Sequence, residues 1–165
     1  MHSRIFCLVS NSLEKGQKEE EIENFKDLTE MDIMEDTGIR LIADYVSDET
    51  DLADDLEWLG NTSIYSIDGT TVKINIKEVE KYFDEKVDKL KECVNNIANG
   101  REFVDYKSYD IERLAEDKFG FQFILDDTYS DYNEDEFLAS ILREYKRNEN
   151  TCLEFEVVKT FDYHW

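Results

Sequence analysis

Histidine and cysteine side chains are the first candidates for chemistry, and this sequence contains few of either. The two histidines, His2 and His164, lie at opposite ends of the 165 residues. A Ser-His-Asp or Cys-His arrangement would therefore have to be assembled at chain termini, which are usually poorly ordered. Cys7, Cys93 and Cys152 are odd in number and widely spaced, which is typical of reduced, mostly buried thiols. We expect no catalytic residues of these types.

One stretch of oxygen-bearing side chains has a spacing related to calcium ligation. Asp131, Asn133 and Asp135 match the first three ligand positions of a calcium-binding loop. The turn glycine of such a loop is replaced by Glu136, and Leu142 stands where the bidentate glutamate is required. Acidic residues are also favoured at a helix start, which this stretch overlaps. We expect no metal centre and no cofactor, with a weak divalent site near Asp131 as the alternative.

Two further kinds of active site are not indicated. Carboxylates are so abundant that a two-carboxylate hydrolytic site is compatible with the sequence, but no particular pair stands out. The six glycines fall at predicted turns, helix ends or polar connections, so no glycine-rich loop remains to hold a phosphate. The sequence therefore favours a protein that is not an enzyme.

The dominant feature is the negative charge. The chain has 41 acidic and 19 basic residues, a formal net charge of -22. Such a surface repels nucleic acids and anionic membranes and attracts basic protein surfaces. Residues 14–57 concentrate the charge, with 17 acidic and four basic residues and hence a net charge of -13. This segment is therefore the first place to look for a binding surface.

The density of this charge decides whether it could imitate a nucleic acid. Surface scaling gives a folded chain of this mass roughly 8,500 Å² of accessible surface, or about 390 Å² per net negative charge. Duplex DNA carries one charge per about 110 Å² of its surface. If residues 14–57 cover about a quarter of the surface, they carry one net charge per about 160 Å². A local patch, but not the average surface, approaches the nucleic-acid value.

The candidate partner-binding residues lie in two acidic segments. The first is predicted to form two short helices, around residues 39–46 and 52–59. The second segment, from Asp126 to Asp135, mixes tyrosine with carboxylates, a composition suited to an Arg- or Lys-rich partner. The candidates are Asp44, Asp48, Glu49, Asp51, Asp54, Asp55, Glu57, Asp126, Asp127, Tyr129, Asp131 and Tyr132. A solvated face that serves solubility is the alternative interpretation.

The apolar pattern predicts a single α+β domain over residues 1–165. Strands are predicted at residues 3–9, 63–67, 70–76, 121–125 and 151–161, and helices at 79–97, 111–119 and 137–145. Residues 10–36 are predicted to be a mobile acidic connection with one short helix near 19–26. We expect an antiparallel or mixed sheet of about five strands, covered by helices on one face.

Three local signals make this prediction more specific. Asp68-Gly69 predicts a two-residue type I′ turn that places Tyr65 opposite Val72. The apolar stripe within residues 79–97 predicts a helix packed on the sheet, with a coiled-coil seam as the alternative. Asn133-Glu134-Asp135-Glu136 predicts a capping box at the start of the following helix.

Two tetrapeptides carry a resemblance to known proteins. Ser3-Arg4-Ile5-Phe6 and Glu57-Trp58-Leu59-Gly60 resemble segments of uncharacterised small acidic proteins carried on mobile elements of low-GC Gram-positive bacteria. The resemblance covers under a tenth of the chain. It implies an anti-defence role, in which an acidic protein occupies the DNA-binding site of restriction or CRISPR machinery.

The sequence thus favours a non-enzymatic acidic interaction protein that binds a basic protein surface. In the sharpest form of this hypothesis, the protein is a nucleic-acid mimic that blocks a DNA- or RNA-binding defence protein. We expect no direct binding of nucleic acid or membranes, and a cytoplasmic location, because apolar spans and a signal-peptide pattern are lacking. The alternatives are an immunity protein for a basic nuclease toxin, a carboxylate-based metal-binding module or enzyme, and a structural or regulatory subunit.

Overall fold

The computed structural model describes residues 2–100, 110–114, 120–125 and 130–165. Its strands are β1 (His2–Ser10), β2 (Tyr45–Ser47), β3 (Tyr65–Asp68), β4 (Thr71–Ile74), β5 (Gln122–Leu125), β6 (Ser130–Asn133) and β7 (Glu154–His164). Its helices are α1 (Lys15–Asp27), α2 (Glu30–Asp36), α3 (Leu52–Gly60), α4 (Ile76–Ala98) and α5 (Glu134–Arg147). A 3₁₀ helix covers Gly38–Leu41, and residues 110–114 are helical.

The described strands form one seven-stranded mixed sheet. Its order is β3-β4-β7-β1-β5-β6, and β2 also pairs with β7. β1 and β5 are parallel, and the other pairs are antiparallel. The 11-residue β7 pairs along one edge with two short strands, β4 near its start and β2 near its end. The α+β class is confirmed, and β2 and β6 make the sheet larger than the expected five strands.

Helices cover both faces of the sheet, which corrects the expectation that they lie on one face. Alternate residues of β1 point into two cores. Phe6 and Leu8 belong to the first core, packed by α3, α4 and α5, and Ile5, Cys7 and Val9 belong to the second core, packed by α1 and α2. Because both faces of β1 are buried, this strand is apolar along most of its length instead of alternating.

Residues 10–36 form part of the second core, whereas the sequence predicted a connection with one short helix. Phe25 and Ile33, from α1 and α2, are fully buried. Thr29 begins α2 with a capping box, in which its hydroxyl accepts a hydrogen bond from the Asp32 backbone N–H. Hydrogen bonds from the Thr29 hydroxyl and then its backbone N–H lower the pKa of Asp32. The short helix predicted near residues 19–26 is confirmed within the longer α1, whereas α2 was not predicted.

The β3–β4 hairpin forms where it was predicted, but with a different turn. Tyr65 lies opposite Ile74 and not opposite Val72. The two-residue loop is Gly69-Thr70, and Gly69 has a φ of 60° at its first central position, which glycine adopts without strain. The predicted type I′ turn at Asp68-Gly69 is therefore wrong. The apolar face is retained, because moving the pairing by two residues keeps every side chain on its own face.

The prediction of an acidic helix at residues 39–46 is also wrong. Residues 39–46 form the end of the 3₁₀ helix and the start of β2, in which Tyr45 lies opposite His164 of β7. Pairing with β7 thus overrides the helical spacing of the apolar residues. The second predicted acidic helix is confirmed as α3.

α4 packs on the sheet through the first half of its apolar stripe. Ile76 and Val79 are buried in the first core, and Phe83 contacts it. Val87 and Val94, further along the stripe, are 46% and 54% exposed. The predicted packing on the sheet is therefore confirmed for the first turns of the helix alone.

α5 begins at the predicted capping box. The Asn133 side chain accepts a hydrogen bond from the Glu136 backbone N–H at 2.9 Å, and the Glu136 carboxylate accepts one from the Asn133 backbone N–H at 3.2 Å. The predicted strand at 121–125 is confirmed as β5. Residues 110–114 of the predicted helix at 111–119 are helical, and residues 115–119 lie outside the described part of the chain.

The pairing of β1 with β7 contains a β-bulge. Cys7 lies opposite Lys159, whereas the next residue, Leu8, lies opposite Val157. Val158 is therefore an extra residue in β7. Because side chains alternate along a strand, one extra residue exchanges the faces of all the residues beyond it.

The bulge decides which residues of β7 share a face. Before it, Phe155 points into the first core, and after it Phe161 points into the second. Asp162 and His164 consequently lie on the same side of the sheet as α3. This arrangement brings polar residues of β7 beside polar residues at the start of β1.

Candidate functional site

Most acidic side chains of residues 14–57 are accessible to solvent. Of its 17 acidic residues, 13 are exposed, three are half-buried and one is buried. Its lysines neutralise acids close to α1, since Lys26 pairs with Glu23 at 2.7 Å and Lys18 pairs with Glu156 of β7 at 2.8 Å. The remaining acids of the segment, around β2 and α3, have no such cations beside them in sequence.

The densest exposed charge lies between residues 41 and 57, which contain seven acids and no Lys or Arg. Six of these acids are exposed, and we call them the acidic face: Asp44, Asp48, Glu49, Asp51, Asp54 and Glu57. They flank β2 and lie on or next to α3. Most of the candidate residues from the first acidic segment are thus exposed in the structure.

Asp51 has a structural role within the acidic face. Its carboxylate is the N-cap of α3 and accepts hydrogen bonds from the backbone N–H groups of Ala53 and Asp54, at 2.9 and 3.3 Å. Such a cap satisfies donors that the first turn of a helix otherwise leaves unpaired. Replacement of Asp51 would therefore change α3 as well as the surface charge.

Asp55 is not part of the binding surface, which corrects its assignment from sequence. It is 2% exposed, and its carboxylate accepts hydrogen bonds from Arg4 Nε at 2.5 Å and Thr160 Oγ1 at 2.6 Å. Its position follows from the packing of α3 over β1 and β7. Asp55 holds this helix on the sheet and is withdrawn from any partner.

The second predicted acidic surface is described in part. Asp126, Asp127 and Tyr129 lie outside the described residues. Asp131 is half-buried and accepts a hydrogen bond from the Gly38 backbone N–H at 3.0 Å. Tyr132 is half-buried and packs against the first core. Neither residue is a freely exposed contact of the kind predicted.

The calcium-like spacing does not bring its side chains to one ion. Asp131 contacts Gly38, Asn133 caps α5, and Asp135 is buried in an ion pair with Lys86, with Tyr82 donating a hydrogen bond to it at 2.6 Å. These three side chains therefore serve three different structural contacts. The match to a calcium loop reflects a strand end followed by a capped helix.

A groove of about 890 Å³ lies between α3 and the β3–β4 hairpin, next to the acidic face. Its apolar walls are formed by Leu52, Leu56 and Ile67, and its polar lining includes Glu57 and Asn61. An apolar depression with a charged rim resembles the anatomy of protein–protein interfaces. The sequence did not predict this groove, because it is formed by two separate elements.

A cluster that the sequence analysis missed lies where β1, β2 and β7 meet. His2 Nδ1 is 2.8 Å from Asp162 Oδ2, and His164 Nε2 is 3.5 Å from the same oxygen. The Tyr45 hydroxyl is 2.7 Å from His164 Nε2, and the two rings stack at 4.3 Å. Among the described residues, His2, Asp162 and His164 are the three metal-ligating side chains whose ligand atoms all lie within 4.8 Å of one another.

Neighbouring strands and α3 fix this cluster. His2 lies directly opposite His164, and Arg4 directly opposite Asp162, in the pairing of β1 with β7. Arg4 forms an ion pair with the other oxygen of Asp162, Oδ1, and also with the buried Asp55. The Asp162 carboxylate is thereby held with Oδ2 toward the two imidazoles.

The tetrapeptides Ser3-Arg4-Ile5-Phe6 and Glu57-Trp58-Leu59-Gly60 meet beside this cluster. The Arg4 guanidinium lies over the Trp58 ring at 5.3 Å from its centroid, a distance suited to a cation–π contact. The Trp58 side chain is 39% exposed and also contacts Phe121. This contact locks α3 to β1 and leaves one edge of the indole on the surface.

Two buried titratable groups outside the cluster have raised pKa values. Burial raises the pKa of the Cys7 thiol to about 12, and the nearby Lys159 lowers it by less. Burial, followed by the charge of Glu134, raises the pKa of Tyr65 well above its ordinary value. The Tyr65 hydroxyl donates a hydrogen bond to Glu134 at 2.9 Å. Cys7 is therefore an unreactive core thiol and not a nucleophile.

Comparison with known proteins gives no family for this chain. No protein-family model, no curated protein and no solved structure matches it. Among the described residues, no helix has both the length and the apolar composition needed to cross a bilayer.

Proposed function

We propose that this protein is a non-enzymatic acidic interaction protein whose acidic face binds a basic surface of a partner protein. The observation that carries this proposal is the exposure of six carboxylates within residues 41–57, a stretch without Lys or Arg. Like charges this close repel one another and lower stability, so a partner that neutralises them gains that energy on binding.

The surroundings of the acidic face support a protein partner in particular. The apolar groove beside α3 offers a site for an apolar side chain at the centre of an interface. Tyr45 and Trp58 are 49% and 39% exposed among the carboxylates, and aromatic residues of this kind often anchor a bound arginine. A partner presenting arginine and lysine around one apolar residue would complement this surface.

In the sharpest form of the proposal, the partner is a nucleic-acid-binding protein, such as one of a defence system. The acidic face then occupies the surface where that partner binds DNA or RNA. Support for this form comes from the density of exposed charge, since the acids flank β2 and lie on or next to α3. The mimicry would therefore be electrostatic and local.

The test compares two variants with the same change in charge. The acidic-face variant carries Asp44→Asn, Asp48→Asn, Glu49→Gln, Asp54→Asn and Glu57→Gln, and it keeps Asp51 and Asp55 for their structural contacts. The control variant neutralises five exposed acids of α4, namely Glu80, Asp84, Glu85, Asp88 and Glu92. The wild type and both variants are immobilised and exposed to extract of the native cell, and retained proteins are identified by mass spectrometry.

The expected result is a basic protein retained by the wild type and the control but lost by the acidic-face variant. Five rim charges at about 0.3 kcal/mol each amount to roughly tenfold in affinity. Binding of the purified partner should weaken steeply with salt, and added wild-type protein should displace duplex DNA or RNA from it. A partner that binds all three proteins equally, or with no salt dependence, would contradict the proposal.

A further inference from the structure

We propose that His2, Asp162 and His164 form a binding site for one divalent transition-metal ion, with Zn²⁺ as the best fit. The site is independent of the acidic face, since none of its three ligands belongs to that surface. Its basis is the convergence of two imidazole nitrogens and one carboxylate oxygen within 4.8 Å.

The separations of the ligand atoms suit such an ion. Zinc bonds of about 2.0–2.2 Å in a tetrahedral arrangement place neighbouring ligand atoms roughly 3.3 Å apart. Asp162 Oδ2 lies 2.8 Å from His2 Nδ1 and 3.5 Å from His164 Nε2, so the observed separations lie on either side of that value. Both carboxylate separations are therefore compatible with one ion, and all three ligand atoms lie within 4.8 Å of one another.

The types of ligand select the kind of metal. Two imidazoles and one carboxylate favour Zn²⁺ and neighbouring transition metals over Mg²⁺ and Ca²⁺, which prefer oxygen ligands. Three protein ligands leave at least one coordination position for water or another ligand. The His2 side chain is 58% exposed, so an ion reaches the site directly from solvent.

The groups around the site hold its carboxylate in place. Arg4 pairs with Asp162 Oδ1 and leaves Oδ2 as a single-oxygen ligand, and Asp55 offsets the charge of Arg4. Outer contacts of this kind orient the ligands of metal sites and tune their affinity. Tyr45 now makes a hydrogen bond to His164 Nε2, so its exposed hydroxyl has to leave that nitrogen when the ion binds.

A competing explanation is that the cluster is purely structural. The hydrogen bond from His2 to Asp162 and the contact of the two imidazole rings would then serve to join the ends of β1 and β7. The two explanations differ in one measurable property. A metal site saturates with one ion and depends on both histidines, whereas a structural contact takes up no ion.

The experiment uses the full chain without a polyhistidine tag and with Cys93→Ser and Cys152→Ser, so that accessible thiols do not bind the ion. Zn²⁺ is titrated by calorimetry, and Co²⁺ by visible absorption. Because the chain has two histidines, the imidazole signals in NMR spectra belong to the proposed ligands. We expect one ion per chain, tetrahedral Co²⁺ absorption without a sulfur charge-transfer band, and a joint response of both imidazoles.

The variants are chosen to keep the fold intact. His2→Gln changes an exposed residue and should lower the affinity at least tenfold, since even outer contacts of metal ligands contribute about 10–100-fold. His2→Gln combined with His164→Gln should abolish saturable binding. Asp44→Asn removes a nearby exposed charge without removing a ligand and should change the affinity less than about threefold. Absence of saturable binding to the wild type, or binding that persists in the double variant, would overturn the proposal.

Discussion

Asp55 offers the most direct test of how the fold is held together, because sequence and structure assign it opposite roles. Asp55→Asn removes a carboxylate that is 2% exposed and pairs with Arg4 and Thr160. Breaking a buried pair by removing one charge costs about 3–5 kcal/mol. Arg4 keeps its second partner, Asp162, so we expect about 3 kcal/mol, at the lower end. For a domain of this size, that corresponds to a fall in Tm of roughly 6–12 °C.

Urea unfolding provides the measurement, followed by circular dichroism and by the fluorescence of tryptophan. Trp58, one of the two tryptophans, lies against Arg4 close to the affected contact. Asp54→Asn is the matched control, since it makes the same chemical change at the preceding, exposed residue of α3. We expect this control to lie within about 0.5 kcal/mol of the wild type.

Equal stability of Asp55→Asn and Asp54→Asn would refute this reasoning, because it would mean that the Asp55 carboxylate is not a buried partner of Arg4. A double-mutant cycle with Thr160→Val separates the contribution of the hydroxyl. Because Thr160 Oγ1 donates to Asp55, the two changes should be non-additive by about 0.5–3 kcal/mol. Strict additivity would show that the negative charge of Asp55 does not strengthen its contact with Thr160.

Two further predictions concern buried titratable groups. Cys7 is buried, and burial raises the pKa of its thiol to about 12, so iodoacetamide should label Cys93 and Cys152 but spare Cys7 until urea unfolds the chain. Native labelling at equal rates, measured by peptide mass spectrometry, would contradict this. The raised pKa of Tyr65 stabilises the folded state below pH 10, and this stability is lost as the pH rises further. The free energy of unfolding of Tyr65→Phe should therefore fall less between pH 9 and 11 than that of the wild type, and equal slopes would disprove the assignment.

Elements with strong local signals could be predicted from sequence. β1 and β7 are rich in apolar and β-branched residues, and α5 carries both a capping box and an apolar stripe. β2 and β6 could not be found, because strands of three and four residues form through pairing with a neighbour and have almost no pattern of their own. The length of α1 was underestimated because tertiary packing of Phe25 supports a helix that has few other apolar residues.

The histidine cluster was beyond prediction for a different reason. His2 and His164 are 162 residues apart, and their meeting depends on the pairing of β1 with β7. Even with that pairing known, the alternation of Phe155 and Val157 predicts the opposite face for Asp162 and His164. The one-residue bulge at Val158 reverses that assignment, and the pattern of neighbouring residues does not predict a bulge there.

The position of β7 in the sheet has a consequence for the order of folding. Three of the six strand pairings in the described sheet involve β7, at residues 154–164, and one of them joins it to β1, at residues 2–10. During synthesis, β1 can therefore pair with β7 only after residues 154–164 have been made. Contacts this distant in sequence slow folding, and Phe6 and Leu8 stay uncovered meanwhile. Incomplete chains that carry this high negative charge repel one another during that interval.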